Sequence, residues 1–312
     1  LVTVGVACVS PGAAPVSTEA SPAAPAPKLA TDTALQTFLE QQLDTAIEAH
    51  RGTGAVAIVL DAKTGKPLAI ASRGDVDART SRIPGSTVKP FAFAAALEAG
   101  TVDTTTKIDC ENGVKTYGTH TVRDSSPNAT LDLAGILAVS SNVCTAKLVE
   151  PLGDQLGQAF RRYRLSAPEH VDTRSFEGAA VAFGEGVAVS PLELASAYTA
   201  LADGGIHHAL TGDGVRVMRE DTARTVLGLM EHVVVDSCGT GQAARLAGVR
   251  VAGKTGMARS KPGSDRNYAS FVGVTPADAP RFVILVGIDG VTTAGGKAAA
   301  PVFATIAAHV LR

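Results

Sequence analysis

IPGSTVKPFAFAAALEAG, residues 83–100, decides how the rest of the chain is read. Pro84-Gly85 breaks whatever precedes it, and an apolar helical run follows at once. Ser86 therefore falls at a helix N-terminus, where the helix dipole favours negative charge on an attacking or leaving oxygen. Lys89 lies three residues on, on the same helical face. Pro90 occupies the first turn, where a missing N–H is tolerated. A serine hydroxyl is a weak nucleophile until a base takes its proton, and a desolvated lysine with a lowered pKa can be that base. In isolation the same residues describe a plain N-cap and a solvated lysine.

Two motifs downstream give the pair a context. Ser140-Ser141-Asn142 ends one helical run and precedes another, a place where Ser and Asn are also at home as a polar turn. Lys254-Thr255-Gly256 ends a Val/Ala-rich strand, and Gly253 and Gly256 flank the lysine, which lets a substrate or another backbone come close.

Working outward, LQTFLEQQLDTAIEAHR (35–51) places Leu35, Phe38, Leu39, Leu43 and Ile47 on one helical stripe. AVAIVL (55–60), the turn DAKTGK and PLAIAS (67–72) read as a β-hairpin. From Ser86 to about Arg245 the signals are mostly helical, including DTARTVLGLMEHVV (221–234), for which Asp221 is the expected N-cap. Strands return in VRVAGKTG (249–256), YASFVGV (268–274) and RFVILVGI (281–288), and APVFATIAAHVLR closes the chain as a helix. Sheet pieces at both ends around a helical block predict an α+β fold. It has a five-stranded, mainly antiparallel sheet flanked by helices and an inserted all-helical subdomain, with the active site in the cleft between them. The expected domain is 31–312, with its sheet part at about 46–75 and 246–312 and its helical part at about 76–245.

Residues 1–30 are read separately. LVTVGVACVS is apolar but too short to span a bilayer, and the PGAAPVSTEASPAAPAPK after it is too poor in apolar bulk to fold. A signal or lipobox remnant followed by a Pro/Ala-rich tether is expected, with Cys8 as the candidate lipidation site and export to the periplasm or cell surface as the consequence. The small residues before Cys8 resemble a lipobox, although Gly5 stands where that pattern prefers Leu.

The net charge of −2 and the lack of a Lys/Arg cluster argue against a nucleic-acid partner. Trp is absent, so no aromatic stacking platform is indicated. Cys8, Cys110, Cys144 and Cys238 lack paired metal-ligand spacing, so neither a metal nor a cofactor is expected. A disulfide among the last three is left open, and Cys144 reads as a small buried apolar residue. His120, His170, His207, His208, His232 and His309 lie outside the motifs and read as surface or loop residues.

The three motifs in this order are the signature of penicillin-binding proteins and serine β-lactamases. Longer stretches resemble the transpeptidase domain of class B penicillin-binding proteins: GAVAIVLDAKTGKPLAIAS, IPGSTVKPFAFAAALEAG, LAVSSNVCTAKL, FGEGVAVSPLELASAYTALADGG, GTGQAARLAGVRVAGKTG and YASFVGVTPADAPRFVILVGIDG. The likeness runs in one register from about residue 53 to the C-terminus. It implies a β-lactamase/transpeptidase-like fold and a D,D-transpeptidase or D,D-carboxypeptidase acting on D-Ala-D-Ala stem peptides, open to β-lactams and to other cell-wall synthesis proteins as partners.

By the same resemblance, Ser86 is acylated and Lys89 activates it. Ser140 and Asn142 pass protons to the leaving group and hold the substrate amide. Lys254 and Thr255 steer the substrate carboxylate beside Gly256, and the N–H groups of Ser86 and Met257 form the oxyanion hole.

The chain departs from the family at Met257, where Thr or Ser is usual after K-T-G, and in a shortened stretch at APEHVDTRSFEGAAVA. It is also expected to work without an N-terminal pedestal domain, which brings a stand-alone acyl transferase or a carboxypeptidase within the reading. Class A β-lactamases need a carboxylate in an E-x-x-L-N context for deacylation. No such pentapeptide lies between Asn142 and Lys254, so slow deacylation is expected. The non-enzyme alternatives are a β-lactam sensor or a degenerate scaffold, and retention of both Ser86 and Lys89 speaks against the latter.

Overall fold

The computed structural model describes residues 32–210 and 214–312, so the N-terminal segment with Cys8 lies outside the described residues. The described residues open with helix α1 (Thr33–His50), whose N-cap Asp32 accepts from the N–H groups of Ala34 and Leu35. Strands β1 (Gly54–Asp61) and β2 (Pro67–Gly74) form the expected hairpin. The Asp61 carboxylate closes its turn by accepting from Lys63 N, Thr64 N and the Thr64 hydroxyl.

The inserted block then runs through α2 (Lys89–Glu98), β3 (Lys107–Asp109), β4 (Val114–Tyr117), β5 (His120–Arg123) and β6 (Thr130–Asp132). It continues with α3 (Leu133–Val139), α4 (Asn142–Val149), α5 (Asp154–Arg162), α6 (Phe176–Phe183), α7 (Pro191–Ala202), β7 (Ile206–His208), β8 (Gly214–Arg216) and α8 (Glu220–Val235). Strands β9 (Ala252–Arg259), β10 (Asn267–Thr275) and β11 (Phe282–Val291) and helix α9 (Gly295–Val310) complete the chain.

The sheet has the order β2-β1-β11-β10-β9, with every neighbouring pair antiparallel. The closing strand β11 therefore inserts beside β1, and β9 is left at one edge. Both faces of the sheet are covered. Ala55, Ala57 and Val59 pack with α1 and α9, whereas Val56, Ile58 and Leu60 pack into the inserted block. A strand buried on both sides needs apolar residues at consecutive positions, which is why AVAIVL is a continuous run rather than an alternating one.

Three details of the sequence reading are corrected. The inserted subdomain is not all-helical: it also holds the two-stranded pairs β3-β6, β4-β5 and β7-β8. These ribbons are short and largely exposed, so their residues carry no apolar alternation to betray them. Asp221 is not an N-cap, because α8 starts one residue earlier, and Arg219 is the cap residue. Glu98, from the end of α2, accepts from Arg219 N at 2.9 Å, while Asp221 stays in the first turn where the dipole favours it. His207 is buried at 7% exposure, with Nε2 3.1 Å from the Ser196 hydroxyl, and burial holds its pKa down to about 4.

Candidate active site

Ser86 sits in a single 3-10 turn, Gly85–Val88, that runs directly into α2. Gly85 is left-handed (φ +58°), and a Cβ there would strike the Met257 carbonyl. A Cβ on Gly256 would meet the Pro84 carbonyl and the Thr87 methyl. The K-T-G glycine is thus the point where the Ser86 turn lies against β9. The turn is tied further by Gly85 N–H to Gly184 O (3.3 Å) and by the Tyr198 hydroxyl of α7 to Thr87 O (2.6 Å). Ser86 itself remains partly open to a cavity of about 560 Å³.

Lys89 is the first residue of α2 and is 0% exposed. Its Nζ donates to Ser140 O (2.6 Å) and Asn142 Oδ1 (2.7 Å) and lies 3.3 Å from Ser140 Oγ. Burial lowers its pKa to about 7, against the opposing pull of the Asp124 and Glu185 charges. A neutral amine has two protons and one lone pair. The two near acceptors take the protons, which leaves the lone pair for a hydroxyl proton.

Lys254 is likewise 0% exposed, and its Nζ donates to Ser140 Oγ (2.7 Å) and Thr255 O (3.1 Å). Burial, and then the neighbouring charge of Lys89, holds its pKa well below the usual lysine value. Ser140 Oγ therefore stands between the two lysines. The residue itself is left-handed (φ +59°), an uncommon conformation away from glycine that ends α3. Thr255 Oγ1 is 2.8 Å from Thr240 Oγ1, and both residues line the cavity, whereas Lys254 is joined to it through Ser140.

All eight positions expected from the sequence (Ser86, Lys89, Ser140, Asn142, Lys254, Thr255, Gly256 and Met257) converge on this cleft. Sequence reasoning missed Asp124. Its carboxylate accepts from the Ser141 hydroxyl (2.6 Å), Asn142 N (2.6 Å) and Val143 N (3.0 Å), and so caps α4 and fixes the Ser140–Asn142 loop. No local spacing announces it, since the partners are 17 to 19 residues apart. Thr240 and Glu185 were missed for the same reason. Cys144, buried as expected, is also disulfide-bonded to Cys110, and this clamps α4 to the end of β3.

Met257 is 52% exposed at the cavity wall. On the expectation from the sequence that a substrate carboxylate binds beside this position, Met257→Thr should place a hydroxyl toward it. Acylation by a penicillin is then expected to rise roughly three- to ten-fold, the size of one added hydrogen bond. Stopped-flow acylation rates check this, and an unchanged rate would remove that role from position 257.

The family profile described as "Penicillin binding protein transpeptidase domain" matches residues 55–308. The probable peptidoglycan D,D-transpeptidase PenA of Neisseria gonorrhoeae is 33% identical, over 89% of this chain and 55% of its own length. The peptidoglycan D,D-transpeptidase FtsI of Escherichia coli K12 is 31% identical, over 91% of this chain and 55% of its own. The chain thus spans about half the length of the curated relatives it matches. The apo TP domain of Burkholderia pseudomallei penicillin-binding protein 3 superposes with a TM-score of 0.80 at 30% identity, covering 91% of this chain and 95% of that one.

Proposed function

This chain belongs to the penicillin-binding protein transpeptidase family, and from that premise we propose that it is a serine D,D-transpeptidase or D,D-carboxypeptidase acting on D-Ala-D-Ala stem peptides of peptidoglycan. The observation that carries the reading is the continuous path from Lys89 Nζ through Ser140 Oγ to Lys254 Nζ, which joins the three motifs at one cavity. Lys89 takes the Ser86 hydroxyl proton as Oγ bonds to the penultimate D-Ala carbonyl carbon. The N–H groups of Ser86 and Met257 receive the oxyanion.

Collapse of the tetrahedral intermediate breaks the peptide bond, and the leaving amine takes a proton by way of Ser140. Asn142 holds the substrate amide, and Thr255 with Thr240 receives the terminal carboxylate, with Lys254 behind them. The Ser86 ester is then resolved by an amine or by water. A β-lactam enters by the same first step and stays, since no carboxylate in an E-x-x-L-N context lies between Asn142 and Lys254 to activate a deacylating water.

On this reading residues 31–312 form the catalytic unit. Its sheet part is at about 46–75 and 246–312 and its helical part at about 76–245. Residues 1–30 act as a tether, with Cys8 as the lipid attachment site, in the periplasm or at the cell surface. The Cys110–Cys144 disulfide supports an oxidising compartment. No described helix is long and apolar enough to cross a membrane.

A fluorescent penicillin should leave a covalent adduct on the wild type, visible by gel and intact mass, and none on Ser86→Ala. A wild type that forms no adduct with the drug, and none with a D-Ala-D-Ala thioester, would overturn the proposal.

A further inference from the structure

Two charged side chains, Glu185 and Lys297, are among the described residues lining the cavity, and they stand on different halves of the cleft. Lys297 belongs to the first turn of α9, on the sheet side, where the Gly296 backbone lies against the Thr240 carbonyl. Glu185 follows the C-cap of α6, on the inserted block. Its place relative to the nucleophile is fixed by backbone. Gly184 O accepts from Gly85 N–H, and a Cβ on Gly184 would overlap the Gly85 carbonyl. Glu185 and Ser86 are therefore each one residue away from the same close contact.

The Glu185 side chain is exposed, and among the described residues no hydrogen bond or ion pair engages it. Its charge is nevertheless felt by Lys89 within the site. The cavity thus has an anion-receptive side, at Lys297, Thr240 and Thr255, and an unneutralised carboxylate beside the nucleophile. A substrate bearing only the terminal carboxylate uses the first side and leaves the second without a partner.

The proposed reaction itself supplies a cation. Transpeptidation consumes a primary amine, which is protonated in bulk water at neutral pH. We propose that Glu185 is a specificity residue that seats a primary ammonium group of the peptide substrate at the mouth of the Ser86 site. The inference rests on the acyl-serine reading above. The same ammonium chemistry can come from the acceptor or from an amine-bearing side chain of the donor peptide. In the acceptor case the ammonium sheds one proton to solvent. Its nitrogen then bonds to the acyl carbon as the Ser86 ester bond breaks, and the second proton returns to Ser86 Oγ by way of Lys89.

The experiment has two arms, each run on the wild type and on Glu185→Gln. The acceptor arm forms the acyl-enzyme from a thioester donor and compares partition to a D-amino acid amide, cationic at pH 7, with partition to hydroxylamine, which is neutral there. The donor arm compares kcat/KM for a Lys-D-Ala-D-Ala peptide carrying a free side-chain amine with that for its N-acetylated form. Wild-type preference for the cationic compound should fall roughly three- to five-fold in Glu185→Gln in one arm, which identifies the source, and should weaken with added salt. Glu185→Lys should reverse the preference.

Equal cationic-to-neutral ratios in wild type and variant in both arms would overturn the inference while leaving the acyl-serine reading intact. A wild type that forms no acyl-enzyme at all would remove both.

Discussion

On the proposed mechanism, Lys89→Met is expected to slow acylation of Ser86 by roughly 10³-fold, the contribution of a positioned general base. On that mechanism the Ser86 hydroxyl and the oxyanion donors survive the change, which removes the base together with its hydrogen bonds to Ser140 O and Asn142 Oδ1. In the wild type the rate should rise with pH through about 7, because burial brings the Lys89 pKa there and the neutral amine is the working form.

Stability follows the same group with a definite sign. The folded chain holds Lys89 with a pKa of about 7, against an ordinary lysine value of 10.5. Between those values the unfolded chain binds a proton that the folded chain does not, so stability is complete above the upper value and lost as pH falls toward the lower. Relative to Lys89→Met, the wild type should gain about 1.4 kcal/mol per pH unit inside that window. Acylation traces and denaturant melts across the pH range check both statements. A variant that acylates within ten-fold of the wild type would place the base elsewhere.

The second large effect concerns the Cys110–Cys144 disulfide, whose partners are 34 residues apart. The segment it closes contains Asp124, Ser140 and Asn142, so one covalent bond restrains the whole second motif together with its carboxylate cap. By the chain-entropy relation, closing such a loop stabilises the fold by about 4 kcal/mol. Replacing both cysteines with serine is therefore expected to lower Tm by roughly 10 °C. It should also slow acylation several-fold, because α4 carries Asn142 against Lys89. Calorimetry with a parallel penicillin acylation assay tests the pair. A Tm within 2 °C or so of the wild type would show that packing alone holds this loop.

What was legible in the sequence was what short spacing encodes. Ser86 and Lys89 share one helical turn, and the central strands are long apolar runs between turn residues. The class and the sheet came from such local signals and the order of the motifs, while the roles given to the eight cleft positions came from the family resemblance those motifs carry. Local signals do not reveal which distant group completes a site. Asp124 reaches Asn142 across 18 residues, and Thr240 meets Thr255 across 15, through folding rather than pattern. The polar ribbons β3-β6, β4-β5 and β7-β8 escaped because half-solvated strands of three or four residues need no apolar alternation. His207 escaped because its burial depends on α7 packing over β7, which a residue type cannot announce.

The position of β9 at the rim of the sheet has a consequence for how the protein keeps company with copies of itself. An open strand edge presents free N–H and C=O groups and invites edge-to-edge association with any other sheet. Here the Ser86 turn lies against β9 at Gly256, which leaves less of that edge open to a second sheet. A single extended chain needs less room than a second sheet to pair with the same hydrogen-bonding groups. On the proposed function, the turn that crowds this edge would also favour a lone peptide strand as the guest.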